Sequence, residues 1–110
     1  MPHYLTQVAY TPEGWNAMLK DPEGRRAMVR ATIEKLGGKI DSQYFAFGDY
    51  DVIGIAEFPD NISAAAIAMA VSAGGAVRSV KTTPLLSVGE AQEAMRRAAN
   101  SGYRAASAGA

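Results

Sequence analysis

Strand and helix signals follow one another along the chain as strand, helix, strand, strand, helix, strand, and that order predicts an α+β domain of the ferredoxin-like, split βαββαβ type. Three observations carry the prediction. His3 to Tyr10 alternates and is rich in β-formers, two further apolar and aromatic runs flank Gly48-Asp49, and two helical stretches each begin at a capping residue and stop at a glycine pair. The sheet is expected to be four-stranded and antiparallel, with helices on one face and a further helix at the C-terminal end. Two right-handed crossovers put the first and third strands at its centre, read here as parallel neighbours, and the second and fourth at its edges.

The first strand, His3 to Tyr10, sets His3, Leu5, Gln7 and Ala9 on one face and Tyr4, Thr6, Val8 and Tyr10 on the other. Thr11-Pro12-Glu13 then opens a helix, with a hydroxyl at the N-cap, proline in the first turn and a carboxylate near the positive end of the dipole. Asp21-Pro22-Glu23-Gly24 repeats the pattern. Because proline cannot continue the hydrogen-bond ladder, the helix is expected to kink or restart at Pro22. From there Ala27, Met28, Ala31, Ile33 and Leu36 form the expected apolar stripe, which ends at Gly37-Gly38.

Lys39 to Phe47 and Tyr50 to Phe58 read as the second and third strands, joined by a two-residue turn in which Gly48 takes a positive φ and Asp49 tolerates the next. That register sets Phe47 opposite Tyr50, Phe45 opposite Val52, Tyr44 opposite Ile53 and Ile40 opposite Glu57. Asp60 caps a helix of small side chains running to about Ala73, where Gly74-Gly75 stops it. Val77 to Leu86 is the fourth strand, with Pro84 tolerable at a sheet edge. Ser87-Val88-Gly89-Glu90 has the capping-box pattern that opens the last helix, whose Arg96 and Arg97 lie near its negative end. Residues 1–100 read as the domain, and 101–110, small and polar, as a flexible tail.

At 110 residues the chain fits one domain that buries roughly 65% of its unfolded surface. A hydrophobic share of 48% against 20% charged residues marks it as globular. The 11 basic and 11 acidic residues cancel, which leaves no positive excess for nucleic acid. The absence of cysteine excludes disulfides and thiolate chemistry. No apolar run approaches the roughly 20 residues that span a bilayer. Without a basic segment followed by an apolar one at the N-terminus, a cytoplasmic location with no membrane partner is expected.

Gly48-x-Tyr50-Asp51, followed by an apolar strand ending in Glu57 and then by Pro59-Asp60, resembles the signature of the GYD-domain family. The resemblance covers roughly residues 1–92. It implies the dimeric α/β-barrel superfamily, in which the sheets of two subunits pack face to face. It implies no established biochemical function and assigns none of these positions to catalysis.

The residues point to the same assembly. Combining the registers gives one face Leu5, Gln7, Ile40, Tyr44, Ile53, Ile55 and Glu57, and the other Tyr4, Val8, Tyr10, Phe45, Phe47, Tyr50, Val52 and Phe58. Both are apolar over much of their area and only one carries helices, so the bare face needs a second copy of the chain to cover it. A homodimer or higher oligomer is the expected partner state.

Candidate catalytic residues are Glu57, His3 and Tyr44. Glu57, near the end of the third strand, is read as a lateral neighbour of Gln7 on the first, and desolvation there would suit it to acid–base work. Lys81 is its expected ionic partner. His3, the one histidine, has the chemistry of a base or a ligand. No His-x-His or Glu-x-x-His spacing accompanies it, so no metal site and no cofactor are expected. Tyr44 and Trp15 have the character of cavity lining or plain core. Candidate ligand-binding residues are Gln7, Tyr44, Tyr50, Asp51 and Lys81, although a turn-fixing role explains Tyr50 and Asp51: the ring packs on Phe47 and the carboxylate accepts backbone hydrogen bonds from the turn. Pro2 would offer a tautomerase-like secondary amine only if Met1 were removed.

The function expected from all this is an oligomeric small-molecule-binding protein, with a small apolar or aromatic ligand held inside the barrel or between sheet and helices. Two alternatives stand beside it. One is a cofactor-independent monooxygenase or isomerase, since relatives in the implied superfamily include both, acting on aromatic or lactone substrates. The other is an assembly subunit that binds no ligand.

Overall fold

The computed structural model describes residues 1–106. Eight elements follow in the order β1 (His3–Tyr10), α1 (Pro12–Lys20), α2 (Pro22–Lys35), β2 (Lys39–Phe45), β3 (Val52–Glu57), α3 (Asn61–Ala73), β4 (Val77–Leu85) and α4 (Val88–Ala99). The strands form one antiparallel sheet in the order β2-β3-β1-β4. This is the ferredoxin-like α+β architecture with an added C-terminal helix. Among the described residues no helix is long and apolar enough to cross a membrane.

β1 and β3 are central, but antiparallel rather than parallel. Each crossover skips one strand, so the strands it connects are parallel to each other while every adjacent pair is antiparallel.

The helix starts follow the local grammar. The Thr11 Oγ1 accepts the Gly14 N–H at 3.1 Å, Asp21 accepts that of Gly24 at 3.0 Å, and Asp60 accepts that of Ser63 at 2.8 Å. Asp21 ends α1 and caps α2, so the chain restarts at Pro22. Gly37, at φ 82°, stops α2 in the left-handed region that other residues avoid. The stripe that α2 turns inward is Val29, Ile33 and Leu36, spaced by four and three, whereas Ala27, Met28 and Ala31 of the expected stripe are exposed.

The core lies between the sheet and the helices. Tyr4, Ile33, Ala56, Phe58 and Ala64 are buried together, with Val29, Ile40 and Ile67 packed around them. The Tyr4 ring meets Phe58 edge-on at 5.8 Å, and its hydroxyl donates to Asn61 Oδ1 at 2.5 Å. Trp15 packs edge-on against Tyr10 at 5.2 Å.

The hairpin departs from its expected shape at both ends. Its loop is wider than two residues: β2 ends at Phe45, β3 starts at Val52, neither Gly48 nor Asp49 has a positive φ, and the Ala46 N–H donates to the Asp51 carbonyl at 2.8 Å. Phe47 is fully exposed, so it does not pack against Tyr50. Phe45 does face Val52 and Tyr44 does face Ile53, but a bulge between Ile40 and Ser42 shifts the far end by one. Ile40 consequently pairs with Ala56, not Glu57, and joins the core instead of the open face.

Among the described residues, α4 has no buried residue and no extensive packing against any strand or other helix. The molecule measures 60 × 29 × 22 Å with a radius of gyration of 17.9 Å, against about 13 Å for a compact chain of this length. Ser101 to Ala106 carry no helix or strand. The remainder of the expected tail, 107–110, lies outside the described residues.

Candidate functional site

The sheet face opposite α1, α2 and α3 is open. Leu5, Ile53 and Ile55 occupy its middle, half-buried by their neighbours alone, and Tyr44 stands 71% exposed on β2 opposite Ile53. One end of this face carries the polar groups. His3 starts β1 and pairs with Glu57 at the end of β3, while the bulge on β2 brings Asp41 to the same side.

His3 Nε2 lies 3.1 Å from Asp41 Oδ2 and 3.9 Å from Glu57 Oε1. One ligand atom from each of the three residues falls within 4.8 Å of the other two, close enough for all three to reach one ion. The Glu90 carboxylate stands at the nearby start of α4. Its pKa is lowered, mainly by the hydrogen bond from the Ser87 N–H and in smaller part by the His3 charge.

The candidates from the sequence are thus divided by the structure. His3 and Glu57 come together. Gln7 does not join them, because it faces Ile53 on one side and Lys81 on the other, four positions or about 14 Å along β1 from His3. The expected pairing of Glu57 with Gln7 rested on parallel central strands, and the expected ion pair with Lys81 fails for the same reason. Lys81 and Gln7 instead form a polar row farther along the open face.

Tyr50 lies half-buried at the hairpin end, away from the cluster. Asp51 does not serve the turn through its side chain. Its Oδ2 accepts the Tyr10 N–H at 2.8 Å, and its own N–H donates to the Val8 carbonyl at 2.7 Å, so it ties the hairpin to β1. The Tyr10 hydroxyl has its pKa raised, chiefly by burial, with Arg25 opposing and Asp51 adding to the rise.

Asp41 is the residue that sequence reasoning missed. A regular strand extended back from the hairpin puts it on the helix side. The available signal was the odd spacing of Ile40 and Phe45, which can share a face only across a bulge.

A separate apolar cavity of about 130 Å³ lies on the helix side of the sheet, lined by Val29, Ile33, Val52, Ile67, Val71 and Val80 among others. It matches the size of cavity that admits a benzene-like molecule and falls well short of an ordinary ligand pocket. None of the candidate residues lines it.

No curated protein matches the sequence. The GYD domain profile matches residues 4–95, which takes in the sheet, the first three helices and most of α4, and on that match the chain belongs to the GYD-domain family.

Proposed function

We propose that the chain works as a homodimer, packing open sheet face against open sheet face and holding a small apolar or aromatic molecule between the two. The observation that supports this reading is the uncovered face itself. Leu5, Ile53 and Ile55 make its middle largely aliphatic, Tyr44 is largely in water there, and His3, Asp41 and Glu57 are gathered at one end, as in a pocket that binds an apolar body and orients it by a few polar contacts. α4 adds to the case: Val88, Ala91 and Met95 form a stripe on a helix that, among the described residues, has no extensive packing, and a second copy would cover it.

Light scattering on the purified protein at micromolar concentration is expected to return a dimer, and Ile55→Glu, which puts a charge in the middle of the face, is expected to return a folded monomer. A monomeric wild type ends the proposal. Native mass spectrometry then tests the ligand half, with a bound small molecule expected on the wild type and depleted in Tyr44→Ala.

An enzyme of the cofactor-independent type would draw its acid–base group from the same end of the face, where His3 stands beside two carboxylates. Turnover of the copurifying molecule by wild type, lost in Glu57→Gln, would favour that reading over simple binding.

A further inference from the structure

We infer that His3, Asp41 and Glu57 form a binding site for a divalent transition-metal ion such as Zn²⁺. The inference concerns a single chain and stands whether or not the open faces pair.

The donor set is one imidazole nitrogen and two carboxylates, a combination suited to zinc and its first-row neighbours rather than to soft ions. Two ligand atoms on one tetrahedral zinc lie about 3.3 Å apart. The distances of 3.1 and 3.9 Å from His3 Nε2 bracket that value, and the widest separation within the group, under 4.8 Å, closes with small side-chain rotations. All three side chains are partly exposed, at 49%, 29% and 20% for His3, Asp41 and Glu57, so they have room to make those rotations.

The charge balance favours a cation. Two carboxylates converge here, and among the described residues neither has a lysine or arginine within 4 Å. Lys39, directly opposite Glu57 in the register, makes no ion pair with it. Metal ligation takes the imidazole in its neutral form, and the two carboxylates then balance the charge of a divalent ion.

The backbone accounts for the convergence. The ligands come from three adjacent strands, β1, β2 and β3. Only the irregularity at Asp41 places the third on the same side as the other two. Bulges of this kind re-aim side chains, and here the re-aimed group completes the set. Three protein ligands leave at least one position on a zinc ion open to water or to an oxygen donor, as in catalytic rather than structural sites. The cluster lies at one end of the open face, so the ligand class for that position would be a small molecule with a carboxylate or phenolate oxygen.

The test is calorimetric titration of tag-free, chelator-stripped full-length protein with Zn²⁺, repeated with Co²⁺ and read by its visible absorption. One ion per chain is expected. His3→Ala, Asp41→Asn and Glu57→Gln are each expected to weaken binding by about tenfold or more, with circular dichroism unchanged; His3→Gln replaces His3→Ala if the alanine variant does not fold. Asp49→Asn, in the hairpin loop, is expected to bind as wild type. Absence of saturable binding, or wild-type affinity in any one of the three variants, overturns the inference.

Discussion

The carboxylate of Asp51 accepts the backbone N–H of Tyr10 at 2.8 Å. β3 begins at Val52, paired with Val8, so no strand carbonyl is available to the N–H two residues farther along β1. The Asp51 side chain takes that place. The aspartate of the Gly48-x-Tyr50-Asp51 motif therefore acts as a tie between the hairpin and the central strand. Asp51→Ala leaves a half-buried donor unpaired and is expected to cost about 1–3 kcal/mol in denaturant unfolding. Asp51→Asn, whose amide oxygen can accept the same bond, should recover most of the loss.

Phe58 is 1% exposed and forms the edge-on pair with Tyr4 at the centre of the core. Phe58→Ala is expected to destabilise the fold by about 3–5 kcal/mol, through lost burial and the cavity left behind. Phe58→Leu keeps most of the volume and should lose less than half as much. Equal losses in the two variants would mean that ring volume is not what the core requires.

Gly14 is the buried residue of α1, where a Cβ would collide with the Ala76 carbonyl. That carbonyl accepts the Thr11 N–H at 3.0 Å, so it cannot move without losing a hydrogen bond. Gly14→Ala should therefore destabilise by about 1–3 kcal/mol despite the better helix propensity of alanine. Gly89→Ala in the first turn of α4, where a Cβ meets only the Ser87 Oγ at 4.0 Å, is the control and is expected to be neutral or slightly stabilising in thermal unfolding.

The Asp60 carboxyl has its pKa lowered, first by the backbone hydrogen bond from Ser63 and then by further hydrogen bonds from Ser63 and Ile62. The folded state thus holds the ionised form more firmly than the unfolded chain does. Its contribution to stability is fully present above the unfolded carboxyl range, at about pH 4. The contribution is lost as the pH falls through the lower folded-state value. Asp60→Asn keeps a neutral cap and should flatten the acid limb of a plot of melting temperature against pH. An unchanged acid limb would mean that this carboxylate is not linked to folding.

The local grammar of this chain acts over three or four residues, and so it was legible. Thr11, Asp21, Asp60 and Ser87 cap the helices because a short oxygen-bearing side chain reaches a backbone N–H three positions on. Pro22 restarts the helix and Gly37 stops it for equally local reasons, and the order of elements then determined the fold class. Strand register is different, because it balances pairings between residues far apart in the chain. Ile40 reaches the core only across a bulge, and the odd spacing of Ile40 and Phe45 signals it only once both are known to face the helices. That bulge moved Asp41 across the sheet to residues 38 positions before it and 16 after it. The antiparallel central pair likewise separated Glu57 from Gln7 and brought it to His3. Which residues exist and which elements they form was decided by the sequence; which of them meet was decided by the packing of one sheet against its helices, because a one-residue shift in register reverses the face of every side chain beyond it.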